Sequence, residues 1–203
     1  MVLYRKRERS NSLSIKIGII FSKFGLSPNS WTLLVLVPSF ASLYYIINSE
    51  FILAAICMII AAFLDFVDGS VARVMGKVTK FGAYLDTIMD RYVEALIVLG
   101  LLVCGLPEFL YIKSSIWLYL FFFGSMMTTY AKAAAKEKDL TEKELSGGLL
   151  ERGERMLILF VGLLMGSYSK TYLSGTIALL AVLTNITALQ RMAFASKASS
   201  KKD

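Results

Sequence analysis

Residues 51–90 read FILAAICMIIAAFLDFVDGSVARVMGKVTKFGAYLDTIMD. Ile52 to Leu64 is an apolar run without the alternation of a barrel strand. Backbone groups in hydrocarbon must be satisfied internally, so the run predicts a membrane-spanning helix. Carboxylates then interrupt the pattern. Asp65 and Asp68 end this span, and Asp86 and Asp90 open the next. A charge inside a span costs about 2.5–3.5 kcal/mol even on the lenient insertion scale, so four in one short stretch mark function. Spacings of three and four residues put each pair on one helical face. Arg73 to Phe81, punctuated by Gly76 and Gly82, suits a tight helical hairpin in which all four converge.

On either side of this hairpin the chain stays apolar. Of its 203 residues 56% are hydrophobic and 18% charged, which excludes an ordinary soluble fold. A span needs about 20 mostly apolar residues, and six segments qualify: roughly 29–48, 51–72, 82–106, 109–131, 155–168 and 171–194. The prediction is an all-α integral membrane protein, one domain over 1–203 with a six-helix bundle over 29–194. Ahead of the bundle, Leu13, Ile17, Ile20, Phe21 and Phe24 recur at helical spacing, while Ser12, Lys16 and Lys23 can face headgroups. Residues 12–24 therefore predict an interfacial amphipathic helix. Lys16, Ser22 and Lys23 interrupt this run, which does not fit a cleavable signal peptide.

The net charge of +7 is arranged by topology rather than for nucleic acid. Basic residues precede span one (Arg5, Lys6, Arg7, Arg9, Lys16, Lys23) and separate spans two and three (Arg73, Lys77, Lys80). They recur between spans four and five (Lys136, Lys138, Lys143, Arg152) and after span six (Lys197, Lys201, Lys202). Six spans put all these regions on one side, so the positive-inside rule predicts a multi-pass cell-membrane protein with both termini in the cytoplasm. Cys57 and Cys104 sit in apolar segments and read as small hydrophobes, not as a disulfide.

Converging carboxylates repel one another and need protons, arginine or metal. The chain has no His and no Cys nearby, so oxygen-only ligation selects Mg²⁺, Mn²⁺ or Ca²⁺ over zinc. Hard cations on carboxylates favour phosphate chemistry. Two other readings remain at this stage: a cation-binding transporter, and aspartates that merely pair with Arg73 and Arg91. Gly69, directly after Asp68, costs about 1 kcal/mol in a helix relative to alanine, as if a ligand approached the backbone. Packing of small residues against another helix is the alternative. Arg73 lies one turn beyond, where its planar fork can hold a pyrophosphate oxygen.

The spacing Asp65-x2-Asp68-Gly69-x2-Ala72-Arg73-x8-Gly82-x3-Asp86-x3-Asp90 resembles the full signature of the CDP-alcohol phosphotransferase family. The resemblance implies attack of an acceptor hydroxyl on the β-phosphorus of a CDP-linked lipid, release of CMP, and two Mg²⁺ ions, with Mn²⁺ as a substitute, on the aspartates. It makes Asp65, Asp68 and Asp86 metal ligands, and Asp90 a ligand that is also the general base. A base must reach the proton it removes and must not be fully neutralised by metal, and Asp90 lies one turn deeper than Asp86. The family's CDP-lipid pocket maps onto Gly69, Arg73 and Thr79 with Asn29, Ser30, Trp31 and Thr32. Pro28-Asn29 also reads as a plain helix start, proline followed by a capping residue.

For the acceptor, Thr129-Tyr130-Ala131-Lys132 and Gly148-Leu149-Leu150-Glu151-Arg152-Gly153-Glu154-Arg155 are similar to segments of the family's phosphatidylinositol-phosphate synthase branch. That similarity implies that Lys132, Arg152, Arg155 and Arg191 bind the phosphate of inositol phosphate. Gly153 replaces the branch's proline, and Ala134 stands where a basic residue is usual. Snorkelling lysines and arginines at helix ends are the plain alternative. Either CDP-diacylglycerol or CDP-archaeol fits as donor, and glycerol 3-phosphate, serine and inositol are the competing acceptors. A homodimer among membrane lipids, without nucleic acid, is expected. The polar loop 136–148, with Gly147 and Gly148 as hinges, connects spans four and five or closes over the acceptor.

Overall fold

A computed structural model describes residues 2–140 and 148–199. Among them it forms eight helices and no strand: α1 (Val2–Ser22), α2 (Pro28–Leu34), α3 (Leu36–Ile47), α4 (Phe51–Val74), α5 (Lys80–Val103), α6 (Ser114–Glu137), α7 (Arg152–Gly166) and α8 (Lys170–Ser199). Three of the stretches they form are long and apolar enough to cross a membrane: Pro28–Ile47, Phe51–Val74 and Lys170–Ala198. The other expected spans differ for identifiable reasons. α5 and α6 each have 24 residues, but α5 carries Lys80, Asp86, Asp90, Arg91 and Glu94, and the uncharged part of α6 is diluted by Ser114, Ser115, Tyr119, Ser125, Thr128 and Thr129. α7 has only 15 residues, short of the roughly 20 that hydrocarbon requires.

Several boundaries also move. The expected fourth span was to begin at Phe109, but Phe109–Ile112 is a tight turn closed by Phe109 N–H to Ile112 O (3.0 Å) and Ile112 N–H to Phe109 O (3.1 Å). Leu110 and Tyr111 take φ of 53° and 60° there, the geometry of a type I′ turn. An apolar turn of this kind is indistinguishable from helix by hydropathy alone. Between α2 and α3 the helix breaks at Val35, because Pro38 has no N–H for the Leu34 carbonyl and its ring crowds that group. α6 runs six residues past the expected end of span four, so part of the expected 136–148 loop is helix; residues 141–147 lie outside the described residues.

The chain forms two compact units, Met1–Tyr44 with Ile56–Ile97, and Tyr45–Ala55 with Val98–Asp203. In the first, Trp31, Val67 and Val71 form a core joined by Ile17, Phe21, Leu64 and Met75. α1 turns Ser14 and Gly18 inward against α4 and leaves Leu13 and Ile20 exposed, as is Phe24 in the turn just past its end. Its expected apolar face is thus divided, with Ile17 and Phe21 packed and the others outward. The α4–α5 connection is the expected tight hairpin. It opens with a Schellman cap, Gly76 N–H to Arg73 O (3.3 Å) and Lys77 N–H to Ala72 O (2.9 Å), with Gly76 at the φ of +63° that the motif favours for glycine.

In the second unit α8 packs against α6 and α7. A Cβ on Gly124 would meet Thr184 Oγ1 at 2.5 Å, and one on Gly162 would meet Thr176 Cγ2 at 2.7 Å. Glycine is what lets these helices approach so closely. Asn185 Nδ2 donates across the α6–α8 contact to Leu120 O (2.9 Å). Leu159, Leu163, Leu173, Ile177 and Leu180 fill the core beside them.

Candidate active site

The i, i+3 spacing on α4 and the hairpin that returns α5 together place Asp65, Asp68 and Asp86 in one cluster. One oxygen from each lies within 4.8 Å of the others. Asp90, half-buried one turn further along α5, stands outside this trio. Asp68 is the most enclosed, at 6% exposure. Thr32 reaches its carboxylate from α2, yet its Oδ2 is buried without a hydrogen-bond partner. A buried carboxylate oxygen left unpaired among like charges fits a bound cation, and an all-oxygen set fits a hard divalent one.

Beside the trio lies a cavity of about 310 Å³ lined by residues of α2, α4, the hairpin loop and α5. Of the sequence-derived donor residues, Asn29, Thr32, Gly69, Arg73 and Thr79 line it, together with Asp68 and Asp86. Ser30 and Trp31 do not. Trp31 is 7% exposed, with its ring edge-on to Phe21 at 5.3 Å between centroids. An aromatic at a helix start serves a core as readily as a site, and sequence spacing does not separate the two. The helix cap is also reassigned: Ser27, not Asn29, caps α2 by accepting from Ser30 N–H (3.1 Å). Asn29 is thereby left on the cavity wall. Thr79 caps α5 by accepting from Gly82 N–H at 3.0 Å, so its hydroxyl already holds the cavity rim together.

Among the described residues, the atoms nearest to Gly69 outside its own helix backbone belong to Arg73 rather than to a second helix. The nearest atoms a Cβ there would meet are those of the Arg73 guanidinium, Nη1 at 3.4 Å, an ordinary contact. The packing alternative for this glycine therefore lacks a packing partner among the described residues. Arg73 is held by Ser14 Oγ (2.7 Å) and Ser70 Oγ (3.3 Å), both accepting from Nη2. Sequence reasoning missed these serines and also Lys77, Val78 and Ala83 on the cavity wall. Lys77 had been absorbed into the count of positive-inside charges. The signal available was its position just after the glycine that closes α4.

The four sequence-derived acceptor residues belong to the second unit. Arg155, 2% exposed, donates from Nη1 to Thr128 Oγ1 (3.3 Å), and Arg191 donates from Nη1 to Thr128 O (2.8 Å). The two arginines thus meet on one residue of α6. Lys132 and Arg152 are half-buried. The segment leading into α7 is tied to α8, Leu149 N–H to Gln190 Oε1 (2.8 Å) and Leu150 N–H to Thr187 Oγ1 (3.1 Å). Glu154 accepts from Glu151 N–H (2.8 Å) at the start of α7.

Residues 26–190 match the model of the family described as CDP-alcohol phosphatidyltransferase. The chain is 34% identical over 185 residues to the archaetidylinositol phosphate synthase of Pyrococcus horikoshii, covering 90% of each chain. Its fold is similar to that of the phosphatidylinositol phosphate synthase of Mycobacterium tuberculosis in two crystal structures. One, in complex with manganese and citrate, gives a TM-score of 0.78 at 27% identity over 90% of this chain and 88% of that one. The other, with CDP-DAG bound, gives 0.77 at 26% identity over 91% and 94%.

Proposed function

The chain belongs to the CDP-alcohol phosphatidyltransferase family, and we propose that it transfers a phosphatidyl or archaetidyl group from a CDP-linked lipid to 1-myo-inositol phosphate, with release of CMP. One observation carries this reading: the Asp65, Asp68 and Asp86 trio adjoins a cavity whose wall holds Asn29, Gly69 and Arg73. A carboxylate cluster alone serves many ends; the same cluster beside an arginine fork and an uncovered helix backbone suits a diphosphate.

Asp65, Asp68 and Asp86 hold the divalent metal, Mg²⁺ at two ions per site or Mn²⁺ in its place. When bound, the metal neutralises the diphosphate and the charge that develops on the departing CMP. Arg73 grips a diphosphate oxygen with its fork, and Gly69 lets the diphosphate lie against α4. Asn29, Thr32 and Thr79 offer polar atoms to the nucleotide, while Ser30 and Trp31 act through the seating of α2. Asp90 takes the proton from the acceptor hydroxyl, whose oxygen bonds to the β-phosphorus as the bond from that phosphorus to the CMP oxygen breaks. Lys132, Arg152, Arg155 and Arg191 receive the acceptor's own phosphate, for which two arginines sharing Thr128 give a rigid pair. The same proposal includes six membrane passes, both termini and the active site on the cytoplasmic side, α1 lying at the interface, and a homodimer.

Purified protein in nanodiscs with CDP-diacylglycerol or CDP-archaeol tests this. CMP should appear only when inositol 1-phosphate and Mg²⁺ or Mn²⁺ are both present, and chelation should abolish it. Equal or faster release with glycerol 3-phosphate, serine or inositol would reassign the acceptor; release with no acceptor at all would make the protein a hydrolase.

A further inference from the structure

We propose that Ser14 of α1 is a positioning residue for the lipid donor, its hydroxyl fixing the Arg73 guanidinium on the cavity wall. The inference rests on the reading of Arg73 as a diphosphate ligand and goes beyond it.

The hydrogen bonds around Ser14 have a determined direction. Ser70 Oγ lies 2.8 Å from Phe66 O and donates its single proton there. In the pair Ser14 Oγ to Ser70 Oγ, 2.9 Å apart, Ser14 must then be the donor. Its lone pairs remain for Arg73, whose Nη2 donates to it at 2.7 Å. The chain of donation runs from Arg73 to Ser14 to Ser70 to the Phe66 carbonyl, and each hydroxyl proton is used once. Ser14 is buried at 7% exposure, while Leu13 and Ile15 on either side are more than half exposed. Burying a serine between two exposed apolar residues has a cost unless its hydroxyl is used, and here it is used on both sides.

The approach of α1 that makes this possible depends on Gly18, one turn beyond Ser14. A Cβ there would lie 2.5 Å from both Ser70 O and Val74 Cγ2. Arg73 itself is exposed, and a free arginine would lose considerable rotamer entropy on gripping a ligand. With Nη2 fixed by Ser14, and Nη1 poised over Gly69, that ordering is done before the donor arrives, which raises affinity without a new ligand contact.

The test is a double-mutant cycle on the full chain in nanodiscs, reading CDP-diacylglycerol Kd in Mg²⁺ together with kcat and both KM values. Ser14→Ala should raise donor Kd and KM about tenfold, with kcat and acceptor KM within about twofold of wild type. Added to Arg73→Ala, it should change nothing further. Gly18→Ala, which lifts α1 from α4, should reproduce the donor effect. If Ser14→Ala does not fold, Ser70→Ala replaces it in the cycle. Wild-type donor affinity in Ser14→Ala alongside a weak Arg73→Ala would overturn the inference and leave the functional reading intact. An equal loss in the Arg73→Ala background would overturn it too, since Ser14 would then act elsewhere. Wild-type donor affinity in Arg73→Ala would instead remove Arg73 from the donor site, and the inference with it.

Discussion

At the scale of single residues, two kinds of helical glycine separate function from packing. Gly18 and Gly124 each face atoms that a Cβ would strike at 2.5 Å, whereas the nearest atoms at Gly69 are those of a flexible arginine side chain at 3.4 Å. Gly69→Ala should therefore fold as well as wild type, and its helix should gain up to about 1 kcal/mol of intrinsic preference. Donor affinity should nevertheless fall about tenfold or more, a loss of roughly 1.4 kcal/mol in binding. Thermal unfolding in detergent and CDP-lipid binding on one preparation read the two effects separately; unchanged binding would return Gly69 to a structural role. The clustering of Asp65, Asp68 and Asp86 was legible in the sequence because intramembrane charge is costly enough to need a reason, whereas Asp90, expected with them, stands outside the trio. Ser14 was not legible. Its partner Arg73 lies 59 positions away, and a lone serine on an apolar helix carries no local signal. Trp31 lies in the core rather than on the cavity wall, although its neighbours Asn29 and Thr32 do line the cavity.

At the scale of elements, apolar run length located the spans and failed at their ends. Apolar runs identified α3, α4 and α8, but the same criterion extended span four back to Phe109 through a turn with two positive φ angles. Turn geometry is set by backbone torsions that Leu110 and Tyr111 do not advertise. The α4–α5 hairpin was legible because glycine at position 76 does advertise its torsion. Packing of α8 on α6 adds a test at this scale. Gly124→Ala puts a methyl against Thr184 Oγ1, Asn185 Nδ2 at 2.7 Å and Asn185 N at 2.9 Å. The last is backbone of α8, so the helices must part. Overpacking of this kind costs about 1–3 kcal/mol, and the melting temperature of purified Gly124→Ala should fall clearly below that of Gly69→Ala. Equal melting temperatures would mean that α6 and α8 adjust without loss.

For the whole molecule, composition and charge placement carried the membrane assignment, and the exposed surface agrees with it. Ile52, Ile56, Ile59, Ile60 and Phe63 are all exposed on α4, a face that suits lipid rather than water. Family membership then joins that assignment to the Asp65, Asp68 and Asp86 trio and its cavity. The most direct measurement follows a single phosphorus. CDP-diacylglycerol labelled with ³²P at the β-phosphorus is given to the purified protein with inositol 1-phosphate and Mg²⁺, beside Asp90→Asn as control. The account predicts that the label moves into a lipid bearing inositol phosphate, that CMP is released unlabelled, and that Asp90→Asn binds donor but loses this transfer by at least about a hundredfold, the lower range for a general base. Label recovered in phosphatidic acid or in nucleotide, or transfer undiminished in Asp90→Asn, would contradict it.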